Sequence, residues 1–168
     1  MSTLFVNNLN TASGSTITVP TGKQLVVTDQ GGVKVPGSIV QVVQATSTTN
    51  LQMSSNNASV DTGLTGSITP SATSSKILIL HNSAIVYNNT HDFILYLVRS
   101  NANIYGINLY SSTGYGHDTA AFSYLDSPAT TSAVTYKTTV YKNQGEIFYN
   151  YNNEITSKST LTFIEIAQ

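Results

Sequence analysis

The 168-residue chain carries charge at only 9% of its positions, for a net charge of −1, while 61 residues are Ser, Thr or Asn. With no basic cluster, the electrostatic footprint of a nucleic-acid or anionic-membrane binder is missing; with no cysteine, neither a disulfide framework nor a thiolate metal site can form. The length suits one main core, and neither an export signal nor a run approaching the roughly 20 apolar residues of a membrane span is visible, so a soluble protein without membrane insertion is expected.

The first half is built differently from the second. All ten tyrosines and four of the five phenylalanines lie at or beyond Tyr87, leaving Phe5 as the only aromatic residue before it. In the opening stretch, the pairs Ile17 and Val19, Leu25 and Val27, and Val33 and Val35 recur at a spacing of eight, each pair alternating as one face of a strand does. Between them fall Pro20-Thr21-Gly22, Asp29-Gln30-Gly31-Gly32 and Pro36-Gly37, suited to tight turns by the fixed φ of Pro and the free φ of Gly. Three short strands follow from this pattern, then a longer one over 38–45.

Strands this short bury too little apolar surface to offset about 1–2 kcal/mol of backbone entropy per residue. They need a neighbour, which is either identical chains around a shared axis, giving a trimeric stem, or the same chain's main domain. The stretch 46–59, TSTTNLQMSSNNAS, reads as an exposed connection.

Beyond it, strand-like runs follow at 60–68, 76–81, 84–87, 92–100, 102–109, 120–125, 134–142, 146–152 and 159–166. Short runs at this spacing, with no helical period longer than ten residues, indicate an all-β antiparallel sandwich. KILIL is apolar at every position but its first, which predicts a strand buried on both faces. VTYKTTVYKN instead alternates, with Val134, Tyr136, Thr138 and Val140 on one side. FYNYNNE reads as a strand and an Asn-rich hairpin turn.

Taken together, SGSTITVPTGKQLVVTDQGG, VPGSIVQVVQATSTT, GLTGSITPSATSSKILIL, FSYLDSPATTSAVTYKTTVY and the ending STLTFIEIAQ resemble virion proteins of tailed bacteriophages, especially tail-fibre-like proteins of marine phages. The resemblance spans nearly the whole chain, and GSITPSATSSKILIL is its most specific block. It implies a non-enzymatic, trimeric structural protein with an N-terminal stem and a β-rich head, on the exterior of the particle as a tail-fibre, spike or capsid appendage. More loosely, the strand order and the strand that ends the chain are similar to trimeric jelly-roll heads of the C1q and tumour-necrosis-factor type, a likeness of fold that carries no site.

Candidate sites are few. His81 and the pairs His91-Asp92 and His117-Asp118 supply titratable groups but lack the accompanying ligands of a catalytic metal site. No serine lies in a G-x-S-x-G elbow, and the three glutamates, Glu146, Glu154 and Glu165, form no close sequence pair. No enzyme activity and no cofactor are therefore expected. IYGINLYSSTGYGHDTAAFSY concentrates Tyr105, Tyr110, Tyr115 and Tyr124 with His117, Asp118 and glycines, a composition that suits a receptor-binding loop, although core and interchain packing is the favoured reading.

The expected organisation is thus a β-repeat stem over 1–45 whose packing residues are Ile17, Val19, Leu25, Val27, Val33 and Val35, a connection over 46–59, and a jelly-roll-like head over 60–168. The expected partners are identical chains in a homotrimer, other virion proteins through the N-terminal segment, and a host-surface glycan or protein. The expected role is host attachment; the alternative is an architectural decoration or adaptor.

Overall fold

The computed structural model describes residues 19–24, 26, 35–112, 114–150 and 157–168. Contacts divide the chain into two units, 1–33 and 34–168. In the first, the Lys23 amide donates to the Pro20 carbonyl at 3.0 Å and Gly22 has a φ of +77°, closing the turn that Pro20-Thr21-Gly22 predicts. Of the expected stem residues, Val19 and Val35 are exposed, and Ile17, Leu25, Val27 and Val33 lie outside the described residues.

The second unit is all β and antiparallel. Its strands are β1 (Ile39–Ser47), β2 (Leu51–Met53), β3 (Ala58–Ile68), β4 (Lys76–Arg99), β5 (Ala102–Ser111), β6 (Gly116–Asp126), β7 (Val134–Tyr149) and β8 (Ser159–Ile166). The 24-residue β4 organises the rest. Its first part lies between β8 and β6, and its second part between β7 and β5. With β1 beside β8, and β2 and β3 beside β7, one layer reads β1-β8-β4-β6 and the other β3-β7-β4-β5.

Rings from the two layers meet between them. Tyr136 of β7 packs on Phe163 of β8, and Tyr105 of β5 on Phe122 and Tyr124 of β6, each with ring centres 5.3 Å apart. A methyl group at Gly66 of β3 would stand 2.6 Å from Ala45 Cβ and 2.7 Å from the Phe163 ring, so glycine there sets how closely the layers approach. The enclosed core includes Leu64, Ile77, Ile79, Phe93, Leu95, Leu97, Val140 and Leu161, all with no exposed surface. Each contributes on the order of 1.5–3 kcal/mol by leaving water.

Several sequence expectations change here. The runs 76–81, 84–87 and 92–100 are one strand, and so are most of 134–142 and 146–152. Polar residues that read as breaks sit where β4 crosses from one layer to the other and where β7 bulges opposite it. At that bulge Gly145 has a φ of +85°, and a Cβ there would collide with the Thr90 carbonyl oxygen. The longer strand placed in the stem pairs with β8 along its length, and its inward Val43 and Ala45 pack on the core. The boundary expected at residue 45 thus falls inside β1, and the expected connection contains β2 and the start of β3.

The strand KILIL is buried on one face only. Ile77 and Ile79 face the core, whereas Leu78 is half-buried and Leu80 exposed on the outer side of its layer, which nothing in this chain covers among the described residues. VTYKTTVYKN alternates as its sequence predicts, with Val134, Tyr136, Thr138 and Val140 inward. Of FYNYNNE, Phe148 and Tyr149 lie in β7, Asn150 follows it, and the rest lies outside the described residues.

Candidate functional site

The tyrosine-rich stretch is not one loop but two strands, β5 and β6, with a short connection between them. Tyr105 leaves the candidate set, because its ring is held between the layers against Phe122 and Tyr124. Tyr110 and Tyr115 are 65% and 64% exposed. Tyr115 meets His117 edge to face at 5.3 Å. His117 and Asp118 border a shallow hollow of about 280 Å³ with Ala84, Val86, Thr119 and Ser157. Asp118 Oδ1 accepts from the Thr119 amide at 2.7 Å, which fixes the carboxylate locally.

The other histidines serve packing. His81 stacks on Phe122 at 4.7 Å and its Nε2 lies 3.3 Å from the Tyr149 hydroxyl. Burial pushes its pKa down to about 4, against a smaller upward pull from the Ala120 carbonyl. His91 is buried beside Tyr87, with ring centres 3.9 Å apart. Asp92 Oδ2 accepts from Asn143 Nδ2 at 2.9 Å, while its buried Oδ1 has no hydrogen-bond partner among the described residues. Among the described residues, no three His, Cys, Asp or Glu side chains gather as a metal would require.

Three further polar groups lock strands together. The Asp126 carboxylate accepts from Arg99 Nη1 at 2.6 and 2.7 Å and from the Tyr136 hydroxyl at 2.7 Å, joining β6, β4 and β7. Burial and the neighbouring carboxylate hold the Tyr136 phenol protonated far above its ordinary range. Lys142, fully buried, donates to the Ser54 and Gly145 carbonyls; desolvation lowers its pKa despite Glu146 nearby. Glu165 accepts from Gln41 Nε2 at 2.5 Å and from the Ser71 amide, Ser71 Oγ and Ser75 Oγ at 2.7 Å. Burial alone would raise its pKa; these donors outweigh it and lower it.

The surface best formed for recognition is the outer face of the β3-β7-β4-β5 layer. Register places Ser59, Tyr141, Ile94 and Asn108 in one row across it, and Asp61, Thr139, Tyr96 and Gly106 in the next. The Tyr96 ring lies over Gly106, where an added Cβ would stand 2.8 Å from Tyr96 Cδ1. Glycine thereby leaves room for the ring of Tyr96, itself half-buried, to rest against β5. Lys137 Nζ bonds Asp61 Oδ2 at 2.8 Å at the margin. Burial would raise the Asp61 pKa, but Lys137 and the Gly63 amide outweigh that and lower it. Tyr110, one strand position beyond Asn108 on this side of β5, extends the face toward Asp92 and Asn143.

Sequence reading missed Tyr96, Asn108 and Tyr141 because it looked for loops. The available signal was parity: Ile94 and Tyr96 alternate with the buried Phe93, Leu95 and Leu97, and Tyr141 alternates with Val140 and Lys142.

No family model matches the chain, and no curated protein does. Among solved structures, the chain is similar to the infectious bursal disease virus VP2 subviral particle, at 13% identity and a TM-score of 0.42, covering 86% of this chain and 37% of that one. It is also similar to a structure of the Gx strain of the same virus, at 10% identity and a TM-score of 0.39, covering 76% of this chain and 37% of that one. The chain thus spans a little over a third of the chains it matches, and a likeness this remote carries no argument about function.

Proposed function

We propose that this chain is a non-enzymatic structural protein of a bacteriophage particle, a homotrimer held by its N-terminal segment, whose sandwich binds a neutral glycan on the host surface. The sequence resemblance supports the virion setting. The observation that carries adhesion is the Tyr96 ring seated against Gly106, with Tyr141, Asn108 and Thr139 in the neighbouring register positions. Aromatic faces offer rigid contact area to the C–H faces of a sugar ring, and amides and hydroxyls pair with its hydroxyl groups. A chain with charge at 9% of its positions has little with which to steer a charged ligand.

Labelled protein should bind host cells, and excess unlabelled protein should block phage adsorption. Tyr96→Ala with Tyr141→Ala should weaken cell binding at least tenfold while the fold stays intact by circular dichroism. Equal binding by the double variant overturns the site, and release of reducing sugar from host polysaccharide overturns the non-enzymatic reading.

A second reading, that of an architectural decoration or adaptor, is favoured by the uncovered apolar residues on the opposite layer. It predicts no binding to host cells at saturating protein.

A further inference from the structure

The outer face of the β1-β8-β4-β6 layer breaks the rule that the exposed side of an antiparallel sheet is polar. Val42 of β1 pairs with Ile164 of β8, Ile164 with Leu78 of β4, and Leu78 with Leu125 of β6. These four residues form one apolar row across the layer, and Val42 and Leu125 are 58% and 48% exposed. The next row is Gln44, Thr162, Leu80 and Ser123, and the one after it Thr46, Thr160, Asn82 and Ala121. Exposed Ile39, paired with Ile166, extends the apolar surface on the other side.

We infer that this face is a self-association surface, occupied by the same face of a second copy of this chain. Three observations favour that occupant. First, the rows themselves carry no charge; among the described residues the ionic groups beside them are Lys76, paired with Ile166 at one margin, and Lys158, two residues before Thr160 at the other. A partner chosen by charge has nothing to read, while an apolar row bordered by Gln and Thr is complementary to itself. Second, among the described residues the face has no Phe, Tyr or Trp, and its two lysines, Lys76 and Lys158, stand at opposite ends rather than as the dense basic fringe a membrane-surface site uses. Its Val, Ile and Leu instead match the inner faces of the sandwich.

Third, the size is adequate. Four strands about 4.8 Å apart and some six residues of strand at about 3.4 Å give a flat footprint of roughly 400 Å². Two such footprints sum to about 800 Å², and side-chain relief raises the total past the roughly 1,000 Å² that a specific interface needs. In a two-fold arrangement the rows cross antiparallel, so that Val42 of each copy meets Leu125 of the other and a third interface of sheet on sheet forms about 10 Å deep.

This inference does not depend on the glycan face or on a trimeric stem. The test uses the full chain, in which the absence of native cysteine makes single-cysteine variants unambiguous reporters. Leu125→Cys should react with a maleimide at least tenfold more slowly than Tyr110→Cys on the opposite layer, and full denaturation should equalise the two. Val42→Asp with Leu125→Asp, both at exposed positions, should halve the light-scattering mass, from dimer to monomer or from hexamer to trimer. Equal labelling rates in the folded protein, or a mass unchanged by the two aspartates, overturns the inference. Multiples of three in the mass report on the proposed stem separately, and cell binding reports on the glycan face.

Discussion

Replacing Glu165 by Gln tests the reasoning about the buried carboxylate most sharply. Glu165 has no exposed surface, and its two oxygens accept four hydrogen bonds, three of them from Ser71 and Ser75 in the segment between β3 and β4. The Gln41 amide nitrogen also donates to the Thr69 carbonyl, so it cannot turn over without losing that bond. A glutamine at 165 sets one NH₂ group against another, which removes a bond, and it leaves the remaining three without charge assistance. At about 1.5–3 kcal/mol for a bond to a charged group and about 1 kcal/mol for a neutral one, the substitution costs about 3 kcal/mol at the low end of those ranges. For a unit of this size that lowers Tm by roughly 6–12 °C.

The pH dependence supplies the refutation. The folded-state pKa of Glu165 is lowered, so its contribution is complete above the unfolded value of 4.5 and is lost as pH falls through the folded value. The stability gap between wild type and Glu165→Gln, measured by urea unfolding, should be full at pH 7 and narrow below pH 4.5, where protonated Glu comes to resemble Gln. Because both proteins keep His81, its titration cancels in the difference. No gap at pH 7, or a gap that persists unchanged to pH 3, would refute the assignment.

Other outcomes follow from the same geometry. His81 is held neutral with a pKa of about 4 against an ordinary 6.5, so stability should fall by roughly 3 kcal/mol as pH drops between those values, and His81→Leu should remove that slope in acid unfolding curves. Gly145→Ala places a methyl against Thr90 at a φ of +85° and should cost about 2–4 kcal/mol, read as a lower urea midpoint. Asp126→Asn weakens the bonds to Arg99 and the Tyr136 hydroxyl and should cost about 2–3 kcal/mol by the same measurement. Gly106→Val should leave the unfolding free energy within about 1 kcal/mol of wild type yet abolish cell binding, because it pushes the Tyr96 ring away from β5.

The fold class was legible because alternation survives even in a chain rich in Ser and Thr: Phe93, Leu95 and Leu97, or Leu161 and Phe163, can face only one way. Strand ends at 68 and 166 were legible for the same reason. What the sequence hid was continuity. A polar residue interrupts an apolar pattern equally whether the strand stops or passes from one layer to another, so Asn82-Ser83 and Asn88 to His91 read as turns inside β4. The outer faces were hidden too, because KILIL looks the same whether Leu78 and Leu80 meet a second layer of this chain, another copy, or solvent. Tyr110, Tyr115, His117 and Asp118 were singled out by composition, whereas the face around Tyr96 needed the register that pairs it with Gly106.

The passage of β4 through both layers has a mechanical consequence. The N-terminal segment leads into β1, which is bonded through β8 to the first part of β4, while Tyr96 stands on its second part. Were the N-terminal segment anchored and a ligand held at Tyr96, as proposed, tension between them would cross from layer to layer along the covalent backbone of β4. The ladders of hydrogen bonds from β1 to β8 and from β8 to β4 lie in series along that path.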